Sequence, residues 1–171
     1  VREYLRSKEK LEKYINEFTT PDDRVTDIIH MIEENKAVLI KGKKQTIKNA
    51  LIKADLVTLF VGLNDINYKV GYSSMSELYD YADSFLNDMD NLLEIVREYC
   101  KENIVLLGYY NSYGNYYEEY FDYINREVER ITKEYNIKFI PVDEIYNVDN
   151  HIESIYMNNQ EHSFFHLISA L

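Results

Sequence analysis

The sequence is short of cysteine, glycine, proline and basic residues, and each shortage excludes a class of protein. Its one cysteine, Cys100, has no partner for an internal disulfide, which excludes a small disulfide-stapled scaffold. Five glycines and two prolines exclude collagen-like and low-complexity architectures. The 30 acidic residues outnumber the 19 lysines and arginines, and the resulting net charge of −11 argues against a nucleic-acid partner.

Long hydrophobic runs are also missing. The longest extends from Leu56 to Leu63 with an interruption at Thr58, which is the length of a strand. A membrane-spanning helix needs about 20 apolar residues, so we expect no membrane span in this chain. No signal peptide is recognisable, but the first residue is Val1 rather than methionine, and the last helical pattern stops short. We therefore expect a chain truncated at its N-terminus, while truncation at the C-terminus and the cellular compartment both stay open.

Apolar stretches of strand length alternate with amphipathic helical patterns. Residues 56–62, 103–108 and 137–142 are apolar on both faces, which is typical of parallel strands. Other elements are expected around them: helices at 1–9, 25–35, 47–54, 75–101, 115–135 and 164–171, a helical turn at 143–146, a strand at 11–18 and a hairpin at 37–47. The pattern predicts one domain over residues 1–171 with an α/β fold. We expect a three-layer α/β/α sandwich with a mainly parallel sheet, in which the three apolar strands are adjacent.

The carboxyl ends of the predicted parallel strands are the places to look for chemistry. The most informative residues there are Gly62 and Asn64, which follow the strand at 56–62 in the sequence Val-Gly-Leu-Asn-Asp. An asparagine amide at this edge could donate a hydrogen bond to a developing oxyanion. The alternative is an ordinary turn, because neighbouring Asn and Asp side chains stabilise loops by bonding to their own backbone.

The segment IKADLVTLFVGLNDI resembles the third sequence block of the SGNH/GDSL hydrolases. The order of elements is also similar, with NIVLLGYYN, IKFIPVDEIY and a histidine-bearing tail following, and YINEFTTPDDRVTDII where that family has its second block. The resemblance implies a serine esterase or lipase-like enzyme that hydrolyses small-molecule esters without a cofactor. It implies that Asn64 is the oxyanion asparagine, that Gly62 is the glycine of the same block, and that Asp65 holds the loop.

Three features depart from the family pattern. No Gly-Asp-Ser triplet occurs, so the nucleophilic serine and its strand would lie upstream of Val1. The second block has no glycine to donate a backbone N–H, and Pro21 in its neighbourhood cannot donate one. The family base is a histidine with an aspartate three residues earlier, whereas His162 and His166 follow Asn159 and Ser163 at that distance. Either histidine could be the base.

Other residues bear on whether the chain has a metal site, a cofactor site or a binding surface. His162 and His166 are four apart, a spacing that can bind metal, but no matched carboxylate or cysteine pair joins them, so we expect no metal site. No glycine-rich phosphate loop occurs, so nothing supports a nucleotide cofactor. A group of tyrosines follows the strand at 103–108 and could either wall an acyl or sugar pocket or pack against a helix: Tyr109, Tyr110, Tyr113, Tyr116 and Tyr117.

Two hypotheses remain. The first is an SGNH-type serine esterase with its nucleophile upstream, and the second is a non-catalytic SGNH-like binding or structural domain. In the family pattern the nucleophile strand lies between the next two strands of the sheet. Without it we expect an unfilled position, which upstream residues, another chain or residues 11–18 would have to fill, because unpaired buried backbone groups cost about 1–3 kcal/mol each.

Overall fold

The computed structural model describes residues 6–9, 11–142 and 164–170, and contains two sheets. The strands are β1 (Leu11–Ile15), β2 (Ala37–Ile40), β3 (Lys43–Thr46), β4 (Leu56–Phe60), β5 (Asn103–Leu107), β6 (Lys138–Ile140) and β7 (Phe164–Ala170). The helices are α1 (Val25–Glu33), α2 (Ile47–Ile52), α3 (Leu63–Asn67), α4 (Met75–Tyr99) and α5 (Glu118–Glu134), with a 3₁₀ turn at Asn115–Tyr117. The helical turn expected at 143–146 lies outside the described residues.

The main sheet has the strand order β1-β7-β4-β5-β6, and β4, β5 and β6 are adjacent and parallel, as the sequence predicts. Four consecutive β4 residues, from Val57 to Phe60, are buried, which means that both faces of this strand are covered. Helix α4 packs against α1 and α5. The arrangement is the expected three-layer α/β/α sandwich, and β2 and β3 form a separate antiparallel hairpin.

The last element differs from the prediction. Residues Phe164–Ala170 form strand β7, not a helix, and β7 runs antiparallel to both neighbours, with Phe164 opposite Phe60 of β4 and Ala170 opposite Leu11 of β1. A seven-residue apolar stretch fits either a helix or a strand by periodicity, and the backbone groups on the facing edges of β1 and β4 decide the matter because each needs a partner.

The position between β1 and β4 is therefore filled by residues 164–170, which the sequence predicts to be a helix. Residues 11–18 have not moved inward, since β1 (Leu11–Ile15) lies at the edge of the sheet. The register between β7 and β4 is continuous over five residue pairs, from Leu56 opposite Ile168 to Phe60 opposite Phe164. Strand β4 consequently has hydrogen-bonded neighbours on both sides.

Helix α4 is fixed at both ends. At its start the Ser74 side chain accepts a hydrogen bond from the Glu77 N–H, and the Glu77 carboxylate accepts one from the Ser74 N–H at 2.8 Å. At its end the Arg97 guanidinium donates to four backbone carbonyls, those of Cys100, Glu102, Tyr135 and Asn136, at 2.8–3.1 Å. This one side chain ties the end of α4 to the end of α5.

The helices of the described part of the chain are too polar or too short to cross a bilayer.

Candidate active site

Gly62 begins the turn that follows β4, and only glycine suits this position. Its φ angle of 103° is in the left-handed region that side chains disfavour. A Cβ atom there would lie 2.6 Å from the Phe85 ring and 2.8 Å from the Tyr109 hydroxyl. The backbone therefore turns directly from the strand into helix α3, which presents Asn64 and Asp65 at the carboxyl edge of the sheet.

The Asn64 amide joins this turn to the loop that follows β1. Its Nδ2 donates to the Pro21 carbonyl oxygen at 2.8 Å and to the Asp23 carbonyl oxygen at 3.1 Å. The loop is itself a tight turn, because the Asp23 carboxylate accepts from both the N–H and the hydroxyl of Thr20. In the resemblance Pro21 lies near the second block, and here it contributes a carbonyl acceptor to Asn64.

Asp65 fastens the same turn to the beginning of helix α1. The carboxylate is buried, and its Oδ2 accepts a hydrogen bond from the Val25 N–H at 3.2 Å. Burial raises the pKa of Asp65 from 3.8 to about 6, although the Val25 N–H and the nearby Arg24 guanidinium both act to lower it. The consecutive residues Asn64 and Asp65 thus bind the loop and the helix that follow β1.

The end of β5 is held by side-chain hydrogen bonds that the sequence does not predict. The Tyr109 hydroxyl donates to the Val61 carbonyl oxygen at 2.7 Å, and burial raises the pKa of Tyr109 well above its usual value. The buried Asn125 amide donates to the Tyr109 carbonyl and accepts from the Tyr109 N–H, at 2.7 and 2.8 Å. The available signal was an asparagine beside the apolar stripe of α5, because a buried amide needs partners of this kind.

The structure brings some of the predicted site residues together. Gly62 and Asn64 lie at the carboxyl edge of the sheet, facing the loop after β1. His162 lies outside the described residues. The backbone of His166 is in β7, opposite Thr58 in the middle of β4. Because an oxyanion donor and a general base act on the same substrate carbonyl, the sequence predicts that Asn64 lies near His162 or His166, and this stays a prediction.

The predicted tyrosine group divides into buried and exposed members. Tyr109 is fully buried, whereas Tyr113 and Tyr116 have 44% and 72% of their surface exposed. Tyr117 lies between these two rings and contacts both edge-on. The group therefore both packs against helix α5 and forms a surface beside the end of β5.

Cys100 and His30 carry side chains that can act in catalysis, and both lie on or next to helices. Cys100 is buried, and burial raises the pKa of its thiol, as expected for a packed cysteine. His30 is exposed on helix α1. Within residues 6–9, 11–142 and 164–170, no group of three or more His, Cys, Asp and Glu side chains is arranged to hold a metal ion.

Comparison with known proteins adds a family and a fold. A family model described as GDSL-like Lipase/Acylhydrolase matches residues 2–168. No curated protein sequence matches. The fold resembles the crystal structure of Axe2, an acetylxylan esterase from Geobacillus stearothermophilus, with a TM-score of 0.53 and 20% identity. A catalytic mutant of Axe2 matches with a TM-score of 0.52 and 21% identity. Both matches cover 78% of this chain and 54% of the other, so the chain spans about half the length of these enzymes.

Proposed function

The chain belongs to the GDSL-like lipase and acylhydrolase family, and from this we propose that it forms part of an esterase that transfers the acyl group of a small ester to a serine and then to water. The observation that carries the proposal is the turn after β4. Gly62 there has a conformation and a space that only glycine fits, and it presents the Asn64 amide at the edge of the sheet where this fold does its chemistry.

The proposed reaction follows the ordinary course of serine acyl transfer. The serine Oγ attacks the ester carbonyl carbon while its proton passes to a histidine, and the carbonyl oxygen becomes an oxyanion. The alcohol leaves with that proton, and water then releases the acid by the same steps. Asn64 donates to the oxyanion, which requires that one of its two present acceptors, the carbonyls of Pro21 and Asp23, gives up its hydrogen bond.

The remaining groups are assigned by the family pattern. No Gly-Asp-Ser triplet occurs in the 171 residues, so we propose that the nucleophile comes from sequence upstream of residue 1. For the base we favour His162 over His166. Strand β7 begins at Phe164, opposite the carboxyl end of β4, and His162 precedes it by two residues, whereas His166 is opposite Thr58 in mid-strand.

The test uses the full-length gene product that contains this chain. We expect a fluorophosphonate probe to label a serine upstream of residue 1, and p-nitrophenyl acetate to be hydrolysed. Acetylated xylan serves as a second substrate, since Axe2 is named for it. Replacing Asn64 by alanine should lower kcat about 10²–10³-fold, the usual cost of losing an oxyanion donor. The matched control is Asn87→Ala, an exposed asparagine on helix α4, which should leave kcat unchanged.

A specific observation favours a second candidate function, a non-catalytic domain that binds or organises other molecules. Strand β7 occupies the position between β1 and β4, where the family pattern has the nucleophile strand. A full-length product that shows neither probe labelling nor ester hydrolysis would contradict the esterase and leave this second function. Labelling at a serine with turnover that Asn64→Ala does not change would contradict the role of Asn64 alone.

A further inference from the structure

The exposed large apolar side chains of the described residues are mostly tyrosines on one side of the fold. Four of them follow the carboxyl ends of β4 and β5: Tyr68, Tyr72, Tyr113 and Tyr116. Tyr72 is 91% exposed and Tyr116 is 72% exposed, values that leave the faces of their rings accessible to solvent. Exposed aromatic residues grouped in this way are typical of a binding surface.

The rings after β5 are held by one another. Tyr117 meets Tyr116 edge-on at 4.9 Å between ring centroids, and meets Tyr113 edge-on at 6.0 Å. Tyr113 also stacks on the buried Phe121, with ring planes 25° apart. The Asn111 side chain fixes their loop, because it accepts from the Tyr113 N–H and donates to the Gly114 carbonyl. A ligand would find these rings already arranged, which limits the entropy lost on binding.

Tyr72 lies at the same edge of the sheet as the rings after β5. It is in the turn after helix α3, which follows β4, and β4 and β5 are adjacent and parallel, so the segments after their carboxyl ends meet at one edge. Burial, Tyr117 and Tyr72 all raise the pKa of Tyr113, which agrees with this placement. We call the exposed rings of Tyr72, Tyr113 and Tyr116 at this edge the tyrosine platform. It extends from the loop after α3, which follows β4, to the loop after β5.

We propose that the tyrosine platform binds the pyranose rings of a neutral oligosaccharide. Its exposed members all combine a flat apolar face with a hydroxyl at the rim, which suits a ring that has C–H groups on its face and hydroxyls at its edge. An acyl chain would instead call for an aliphatic, concave lining. A single-stranded nucleic acid would need a basic groove, and the chain carries a net charge of −11. The proposal does not depend on catalysis and holds for either function above.

The test is binding of cellohexaose and xylohexaose to the full-length protein by isothermal titration calorimetry. We expect a Kd of about 1 mM or tighter. Tyr72→Ala and Tyr116→Ala should each weaken binding about 3–10-fold, as expected for the loss of one aromatic contact. Tyr72→Phe and Tyr116→Phe keep the ring and should stay within about twofold of wild type. The control is Leu39→Ala, an exposed apolar residue on the β2–β3 hairpin, with no expected change.

Because Tyr72 and Tyr116 are exposed, their alanine variants should unfold at the wild-type temperature, and this is measured alongside. Asn64→Ala should keep oligosaccharide binding even if it abolishes ester hydrolysis, which separates this proposal from the esterase. The proposal is overturned if neither hexasaccharide binds at 10 mM, or if the alanine variants bind as well as wild type. It is equally overturned if the platform variants lose binding only to phosphatidylcholine vesicles or to a proline-rich peptide, the other partners that an aromatic surface serves.

Discussion

Replacing Asp65 by asparagine tests whether burial of the ionised Asp65 carboxylate, which anchors the turn after β4, lowers the stability of the fold. Asparagine keeps an oxygen that can accept from the Val25 N–H, but removes the charge. The pKa of Asp65 is raised from 3.8 to about 6 by burial. At about 1.4 kcal/mol for each tenfold change in acid dissociation, the ionised form of this side chain lowers the stability of the folded protein by about 3 kcal/mol at neutral pH.

The direction of the pH dependence follows from the raised pKa. The folded protein holds this proton more tightly than the unfolded chain, so the Asp65 contribution to stability falls as the pH rises from about 4 to 6 and is constant above that. Asp65→Asn lacks this dependence. The variant should therefore gain stability relative to wild type by about 2 kcal/mol between pH 4.5 and pH 7.5.

The assay is urea unfolding followed by far-ultraviolet circular dichroism, at pH values from 4.5 to 7.5. The control is Asp22→Asn, an exposed carboxyl in the loop that Asn64 contacts. Comparing each variant with wild type across pH cancels any constant difference in hydrogen-bond quality. A stability difference between Asp65→Asn and wild type that does not change with pH would refute the reasoning, and so would a difference that changes in the opposite direction.

Two further replacements test contacts that stabilise the fold. Gly62→Ala should lower the free energy of unfolding by about 2–4 kcal/mol, because the added methyl group collides with Phe85 and Tyr109 and the φ angle is unfavourable for alanine. The control is Gly42→Ala, which has a φ of 76° and nothing within 4 Å, and it should cost about 1 kcal/mol in the same urea titration. Equal losses for the two variants would contradict the steric argument. Arg97→Met should lower the free energy of unfolding by about 2–4 kcal/mol through the loss of hydrogen bonds to four carbonyls. Arg97→Lys should recover less than half of that loss, since an ammonium group cannot reproduce the planar geometry of the guanidinium. Full recovery with lysine would show that a positive charge alone is sufficient.

The sequence predicts those parts of the fold that depend on local pattern. Strands β4, β5 and β6 are predictable because residues apolar on both faces, separated by long amphipathic helices, leave few alternatives to a parallel sheet. The turn at Gly62 is predictable because its residue types match its geometry. The ends of most helices are also close to those predicted, since caps such as Ser74 are encoded within a few residues of the helix.

The parts that the sequence does not predict depend on contacts between distant residues. The strand at Phe164–Ala170 is decided by pairing with β1 and β4, and periodicity over seven residues cannot reveal that. The same is true of the Asn64 amide, whose acceptors are 41 and 43 residues earlier in the chain. The partners of Asn125 are also non-local, because they belong to the backbone of Tyr109. Residue type indicates that such polar groups need partners, but not which ones.

The place of β7 in the sheet also has a consequence for how the molecule is made. Among the described strands, β1 is joined to the rest of the sheet through β7, which is synthesised more than 100 residues after β4 begins. While the chain grows on the ribosome, β4, β5 and β6 can assemble with their helices, but β1 has to wait. Pairings between such distant residues form late and slowly, because a long loop must close first. The edge of β4 that pairs with β7 is thus exposed during synthesis, and the nascent chain would benefit from a chaperone until β7 emerges.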